Sequence, residues 1–160
     1  AAPRGRAAPP AAAGRKPQHA EAEALHRQAL ALYRAALGES NPGVAAALNN
    51  LAAAVADQGR WEEAERLHRK ALAMRRALLG AEAPAVARSL YGLAGVLMAR
   101  HRAAEAEPLL LESHRILPRS SGSTHPHTVQ TTARLVQLYE SSGIPSEATR
   151  FRRLLPAPAP

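Results

Sequence analysis

Residues 59–80 read Gly59-Arg60-Trp61-Glu62-Glu63-Ala64-Glu65-Arg66-Leu67-His68-Arg69-Lys70-Ala71-Leu72-Ala73-Met74-Arg75-Arg76-Ala77-Leu78-Leu79-Gly80. The Glu63-Ala64-Glu65 triplet inside this stretch recurs from Glu21 and from Glu105, 42 residues away on either side, and Glu147-Ala148 falls on the next beat. Three further series keep the same beat: Gly38, Gly80 and Gly122; Pro42, Pro84 and Pro126; Leu51, Leu93 and Leu135. Four series in phase describe an array. A period of this length, divided by turn residues into two helical segments, is that of a solenoid whose units stack to bury a shared core.

Composition agrees. At 160 residues the chain is long enough for one compact unit, because a chain of roughly 150 residues buries about 70% of its extended surface. Apolar residues make up 46%, yet only five are aromatic, so the core is expected to form by close approach of Ala- and Leu-rich helices. No alternating apolar and polar run suggests a strand, and the fold class is read as all-α. There are no cysteines, which excludes disulfides and thiolate metal sites and leaves the redox compartment open. The longest mostly apolar stretch, Val44 to Ala56, is about 13 residues, short of the roughly 20 that span a membrane. Residues 1–17 hold no Leu, Ile, Val or Phe and so no signal-peptide core, and the expectation is a soluble, cytoplasmic chain.

Net charge is +8, of which Arg4, Arg6, Arg15 and Lys16 supply four, leaving +4 for the remainder. Residues 1–19 are expected to be a disordered basic tail rich in Ala and Pro, since Pro3, Pro9, Pro10 and Pro17 occupy the place of a first helix. Residues 20–43 then hold a half repeat, with a helix from about Ala20 to Leu37 and a loop. Residues 44–84 form the first full unit, with helix A at about Val44 to Gln58 and helix B from Trp61 to Leu79. In helix B, Glu62, Glu63 and Glu65 lead while Arg69, Lys70, Arg75 and Arg76 trail, which complements the helix dipole. Residues 85–126 form the second unit, with helices at Ala85 to Arg100 and Ala103 to Leu117 and a Ser- and Gly-rich loop from Pro118 to Pro126. Residues 127–155 form the third, with Pro145 in the first turn of its helix B, and 156–160 are an extended tail.

The runs Leu48-Asn49-Asn50-Leu51-Ala52, Gln58 to Leu67 and Lys70-Ala71-Leu72-Ala73-Met74-Arg75, with a Pro before each helix A, resemble tetratricopeptide repeats of the kinesin light chain type over about residues 21–155. That resemblance implies a right-handed superhelix of antiparallel helix pairs that acts as a non-enzymatic protein-interaction scaffold, its A helices lining a concave groove. In bacteria such arrays are often appended to protein kinases or signalling ATPases. His125-Pro126-His127-Thr128 and Leu135 to Glu140 are similar to a closing repeat. Where the family usually has an aromatic in helix B, this chain has His26, His68, Leu110 and Arg152, so thinner packing and a fraying last helix are expected.

Helical spacing separates two stripes on each A helix. Leu48, Leu51, Ala52 and Val55 form a core stripe, repeated at Leu90, Leu93, Ala94 and Leu97 and at Thr132, Leu135, Val136 and Tyr139. The adjacent stripe carries Asn49 and Asn50, then Arg88 and Tyr91, then Gln130, Arg134 and Gln137, and is the candidate peptide-binding groove. Amides suit a peptide backbone, the two Arg suit carboxylates and Tyr91 offers a stacking ring, so an acidic peptide is the expected ligand. Family members that hold carboxylates place Asn, Lys or Arg on this stripe, which singles out Asn50, Arg88 and Arg134.

No phosphate loop, nucleophile elbow or zinc-helix motif is present, and neither cofactor nor metal is expected; His125 and His127 flank a proline without an acidic neighbour. Ser120, Ser121, Ser123 and Thr124 read as an ordinary lengthened turn. Two other readings stay open. The array is a regulatory or oligomerising C-terminal segment of a larger signalling protein, self-associating through the unpaired first helix with its Leu25 and Leu32; or the basic tail binds nucleic acid, against which stands the scarcity of aromatics for base stacking.

Overall fold

The computed structural model describes residues 15–157, so the tail expected over residues 1–19 lies outside the described residues as far as residue 14. Among the described residues there are seven helices and no strand: α1 (Arg15–Leu37), α2 (Pro42–Ala56), α3 (Trp61–Leu79), α4 (Pro84–Ala99), α5 (Ala103–Ser121), α6 (Pro126–Ser141) and α7 (Pro145–Arg152). Each helix packs against the next in sequence. In addition the backbone of α2 approaches that of α4 and α4 that of α6, whereas the backbones of α3, α5 and α7 stay apart and only long side chains bridge them, as Arg76 does to Glu112. In a bent stack the elements inside the bend meet, so the A helices α2, α4 and α6 line the inner side.

The A helices begin where proline places them. Pro42, Pro84 and Pro126 each open a helix, at a position where the missing N–H has no intrahelical partner to lose. Asn41 adds a cap, its side chain accepting from the Val44 amide at 2.9 Å while its Nδ2 donates to the Gly38 carbonyl at 2.7 Å. All twelve core-stripe residues are buried. Ten of them, all but Ala52 and Thr132, join two apolar clusters, one spanning α3 to α7 and the other centred on α1 to α3 with Leu30 as the contribution of α1. Burying each Leu there contributes about 1.5–3 kcal/mol.

Polar links repeat with the same beat. Glu23 accepts from Arg60 Nη1 at 2.8 Å, and Glu65 accepts from Arg102 Nη1 at 2.8 Å, one period later. On the third beat Ile144 replaces the arginine, and Glu107 accepts instead from the Tyr139 hydroxyl at 2.8 Å. Glu65 also receives Arg69 Nε at 3.0 Å and Arg100 Nη1 at 2.6 Å. Burial raises the Glu65 pKa, but its three arginines more than offset this and hold it below the ordinary value.

Four expectations need correction. Helix α1 opens at Arg15 rather than Ala20, because Pro17 lies in its first turn, where a proline is tolerated. The loop expected from Pro118 is helical as far as Ser121: Ile116 and Leu117 are buried to 1% and 2% exposure and carry the helix through the proline. The helix ends at Gly122, whose φ of 90° matches the 82° of its period mate Gly80. Packing at His68 and Leu110 is not thin, since they are 2% and 0% exposed. Finally, α7 stops at Arg152, short of Leu155; Phe151, one residue before the position where an aromatic was missed, stacks on Tyr139 at 5.7 Å and meets His114 edge-on at 5.3 Å.

Candidate concave binding groove

The stripe chosen from helical spacing falls on the inner side of the bend. Asn49, Asn50, Arg88, Tyr91 and Gln130 line one concavity of about 530 Å³. Small residues open it: Ala46 and Ala53 on α2 and Gly92 on α4 leave space where larger side chains would close the gap between helices. Arg134 and Gln137 line a neighbouring concavity of about 520 Å³ with Gly95 and His101. The seven residues therefore occupy two adjoining hollows.

Arg134 forms the wall between them. Its guanidinium carbon stacks 3.8 Å from the centre of the Tyr91 ring, and Nη1 donates to the Tyr91 carbonyl at 3.1 Å. Burial holds its pKa below the ordinary arginine value. One face of the guanidinium is thus covered by Tyr91. Arg88, by contrast, is exposed and makes no hydrogen bond or ion pair among the described residues, and the same holds for the side chains of Asn50, Gln130 and Gln137.

The floor of the larger hollow belongs to residues that the stripe analysis missed. Arg75 reaches in from α3 with only 5% exposure, its Nη1 donating to the Ala85 carbonyl and to Ser89 Oγ, both at 2.8 Å. Ser89 Oγ donates in turn to Asn49 Oδ1 at 3.2 Å, and His68 Nδ1 lies 3.2 Å from the same oxygen. An amide oxygen only accepts, so the His68 proton is on Nδ1. Burial, with the Arg75 charge added, holds the His68 pKa down at about 4, and the ring is neutral. A signal for these residues was present: Ala64, His68, Ala71, Leu72 and Arg75 share one face of α3, so the spacing that placed the leucines also places the histidine and the arginine inward.

A stack of helix pairs with an unobstructed inner face defines the class of α-solenoid scaffolds. Two tetratricopeptide repeat models match, one over residues 14–77 and 44–97 and a second over residues 86–127; the chain belongs to the tetratricopeptide repeat family. Such repeats are in general protein–protein interaction modules. Among solved structures the chain is similar to a putative kinesin light chain with nearly identical repeats from P. anserina, matched in a single-substitution variant with 27% identity and a TM-score of 0.77, and 88% of this chain covering 66% of that one. A second structure of the P. anserina protein matches at 26% identity and a TM-score of 0.76, covering 88% and 67%. BtubC (BKLC) from P. vanneervenii matches at 21% identity and a TM-score of 0.77, covering 88% and 56%. The chain thus spans 56 to 67% of the length of these structures. No curated protein matches by sequence. No described helix is long and apolar enough to cross a membrane.

Proposed function

We propose that the chain is a non-catalytic interaction module that takes an acidic peptide segment into the hollow lined by Asn49, Asn50, Arg88, Tyr91 and Gln130, with Arg134 and Gln137 extending the track. One observation carries this reading. Many arginines elsewhere are matched, since Arg60, Arg69, Arg76, Arg100, Arg102 and Arg115 each hold a glutamate; Arg66, Arg119 and Arg153, which also lack one among the described residues, lie outside this hollow. The larger hollow has no acidic residue in its lining, and Arg88 on its rim has no carboxylate within ion-pair distance among the described residues. Positive charge without an internal partner, in a concave site with uncommitted amides beside it, fits a ligand that supplies carboxylates.

Selection from a random displayed-peptide library tests it. Wild-type chain is expected to enrich sequences with Asp or Glu, and Arg88→Glu is expected to lose them by tenfold or more while remaining helical. Enrichment without acidic bias, or unchanged by Arg88→Glu, refutes the reading.

A second reading, self-association as part of a larger signalling protein such as a kinase or ATPase, is supported by α1. Leu25 and Leu32 are 57% and 71% exposed, although their period mates Leu67 and Met74 pack against the core. Light scattering on the wild type and on Leu25→Glu/Leu32→Glu decides it: a dimer lost in the variant supports self-association, and a wild-type monomer at 100 μM or so excludes it.

A further inference from the structure

Helix α1 carries an apolar stripe that its own fold leaves uncovered. Ala22, Leu25, Ala29 and Leu32 share one side of the helix, and their period mates on α3 are Ala64, Leu67, Ala71 and Met74. On α3 all four pack with Leu48, Leu51 and Val55 of α2, and Ala64 and Ala71 are fully buried. On α1 the two alanines are half-buried and the two leucines exposed, Leu32 more so than any other large hydrophobic side chain among the described residues. The uncovered place is the one that α2 takes beside α3. That neighbour is antiparallel, because the short loop 57–60 turns the chain back on itself.

The residues of the stripe narrow what can fill this place. From Ala22 to Leu37 the charged residues are Glu23, Arg27 and Arg34, and each is engaged within the chain, with Arg60, Glu63 and Glu39 respectively. The outer side is left without charge: where α3 has Lys70, α1 has the exposed amide of Gln28. The stripe also reads the same from both ends. Ala22 and Ala35 stand at equal distances from the midpoint between Gln28 and Ala29, and so do Leu25 and Leu32. A two-fold contact uses one patch on both copies, so that residue i meets j and j meets i. Set antiparallel about that midpoint, each Leu25 lies opposite Leu32 of the second copy, and the two Gln28 amides meet at the axis, where each can donate to and accept from the other. Lysine there would set like charges face to face, and a parallel pair would bring like ends of the helix dipoles together.

We propose that α1 is a dimerisation helix: two copies of the chain pair through α1, antiparallel about a two-fold axis at Gln28, so that each α1 takes beside the other the place that α2 takes beside α3. This rests on the self-association reading and gives it a contact, an orientation and a register.

The chain has no cysteine, so engineered ones report on the pairing against a clean background. Leu25→Cys, Leu32→Cys and Gln28→Cys each alter an exposed side chain. The full chains are held at about 100 μM in a glutathione redox buffer, where a contact of micromolar affinity is filled. Links are read by mass spectrometry after trypsin, which cuts at Arg27 and so puts positions 25 and 32 on different peptides. Wild type is expected to be a dimer by light scattering, and Gln28→Lys, which restores the residue of the α3 beat, to weaken it by about tenfold with the helix content unchanged. Mixed Leu25→Cys and Leu32→Cys chains are expected to link 25 to 32, and Gln28→Cys to link to itself. Leu25→Cys alone is expected to stay unlinked: seven residues at 1.5 Å each set its two copies about 10 Å apart along the pair, beyond the roughly 7 Å that a disulfide allows between Cα atoms. A dimer that links 25 to 25 and 32 to 32 keeps self-association and overturns the antiparallel pairing. A dimer with no link on α1, or one that Gln28→Lys leaves unmoved, overturns α1 as the contact. A wild-type monomer overturns both readings and leaves the stripe to a different protein or to residues 1–14 of the same chain.

Discussion

Gly92 and Gly95 lie one helical turn apart on α4, and adding a methyl group to each is expected to have opposite consequences. A Cβ at Gly92 falls 2.5 Å from His68 Cε1, and the ring it meets is 2% exposed and hydrogen-bonded to Asn49. A Cβ at Gly95 falls 2.6 Å from Arg134 Nη1, the far end of a flexible side chain beside an open hollow. Replacing Gly by Ala in a helix interior gains about 1 kcal/mol of propensity in both cases. At Gly92 this is set against overpacking of about 1–3 kcal/mol and loss of the His68–Asn49 hydrogen bond, about 1 kcal/mol, for a net loss of about 1–3 kcal/mol. At Gly95 the Arg134–Tyr91 stack, about 0.5–1 kcal/mol, is disturbed, and the balance stays within about 1 kcal/mol of wild type. Thermal melts followed by circular dichroism read the difference, at about 2–4 °C per kcal/mol for a chain of this size. Gly92→Ala is expected to melt several degrees below Gly95→Ala. His68→Ala combined with Gly92→Ala is expected to cost less than the sum of the two, since the methyl enters the space the ring vacates. If Gly92→Ala melts at or above wild type, the close packing of His68 against α4 is refuted.

Three further outcomes follow from the same geometry. The folded His68 pKa of about 4 lies below its ordinary 6.5, so the unfolded chain binds the extra proton and stability falls as pH drops from 6.5 toward 4, by about 3 kcal/mol from this group; denaturant titrations at several pH values should show this slope, and His68→Gln should reduce it, leaving the part that His114, also depressed by burial, contributes. Glu65→Gln is expected to cost about 1–2 kcal/mol, less than a fully buried pair because Arg100 and Arg102 remain about one-third exposed, and a double-mutant cycle with Arg102→Met should show coupling; independence of the two substitutions would remove Glu65 as the inter-repeat link. His101 holds a left-handed φ of 58° at the beat where Gly59 and Gly143 stand, so His101→Gly should stabilise by about 1 kcal/mol, and a lower unfolding midpoint would contradict it.

The period was sufficient for the architecture because every repeat carries the same turn residues, and a turn that recurs needs only local chemistry to be read. The inner stripe was equally accessible, since spacing alone places Asn49, Arg88 and Gln130 on one side of their helices. Two kinds of residue resisted. Pro118 was read by its local rule, as a helix stop, although its neighbour Gly122 already marked the helix end on the 42-residue beat; burial of Ile116 and Leu117 outweighs the lost hydrogen bond. Arg75 was read by its charge, as a partner of the helix dipole, although its position on the Leu72 face places it inside. In both cases a single-residue preference yielded to packing that only long-range contacts supply. The division of the groove into two hollows by Arg134 had no counterpart in spacing, because it depends on a side chain of one repeat lying across the ring of another.

The change from arginine to isoleucine at position 144 gives the stack unequal joints. Where Glu23 meets Arg60 and Glu65 meets Arg102, neighbouring units are tied by opposite charges that electrolyte weakens; where Glu107 meets the Tyr139 hydroxyl, the tie involves a single charge and responds far less. Raising ionic strength is therefore expected to weaken the first two links more than the third, by an amount reduced by the burial of Glu23 and Glu65. The stack is then expected to loosen at its first two joints before its third, a graded compliance that small-angle scattering across a salt series would read.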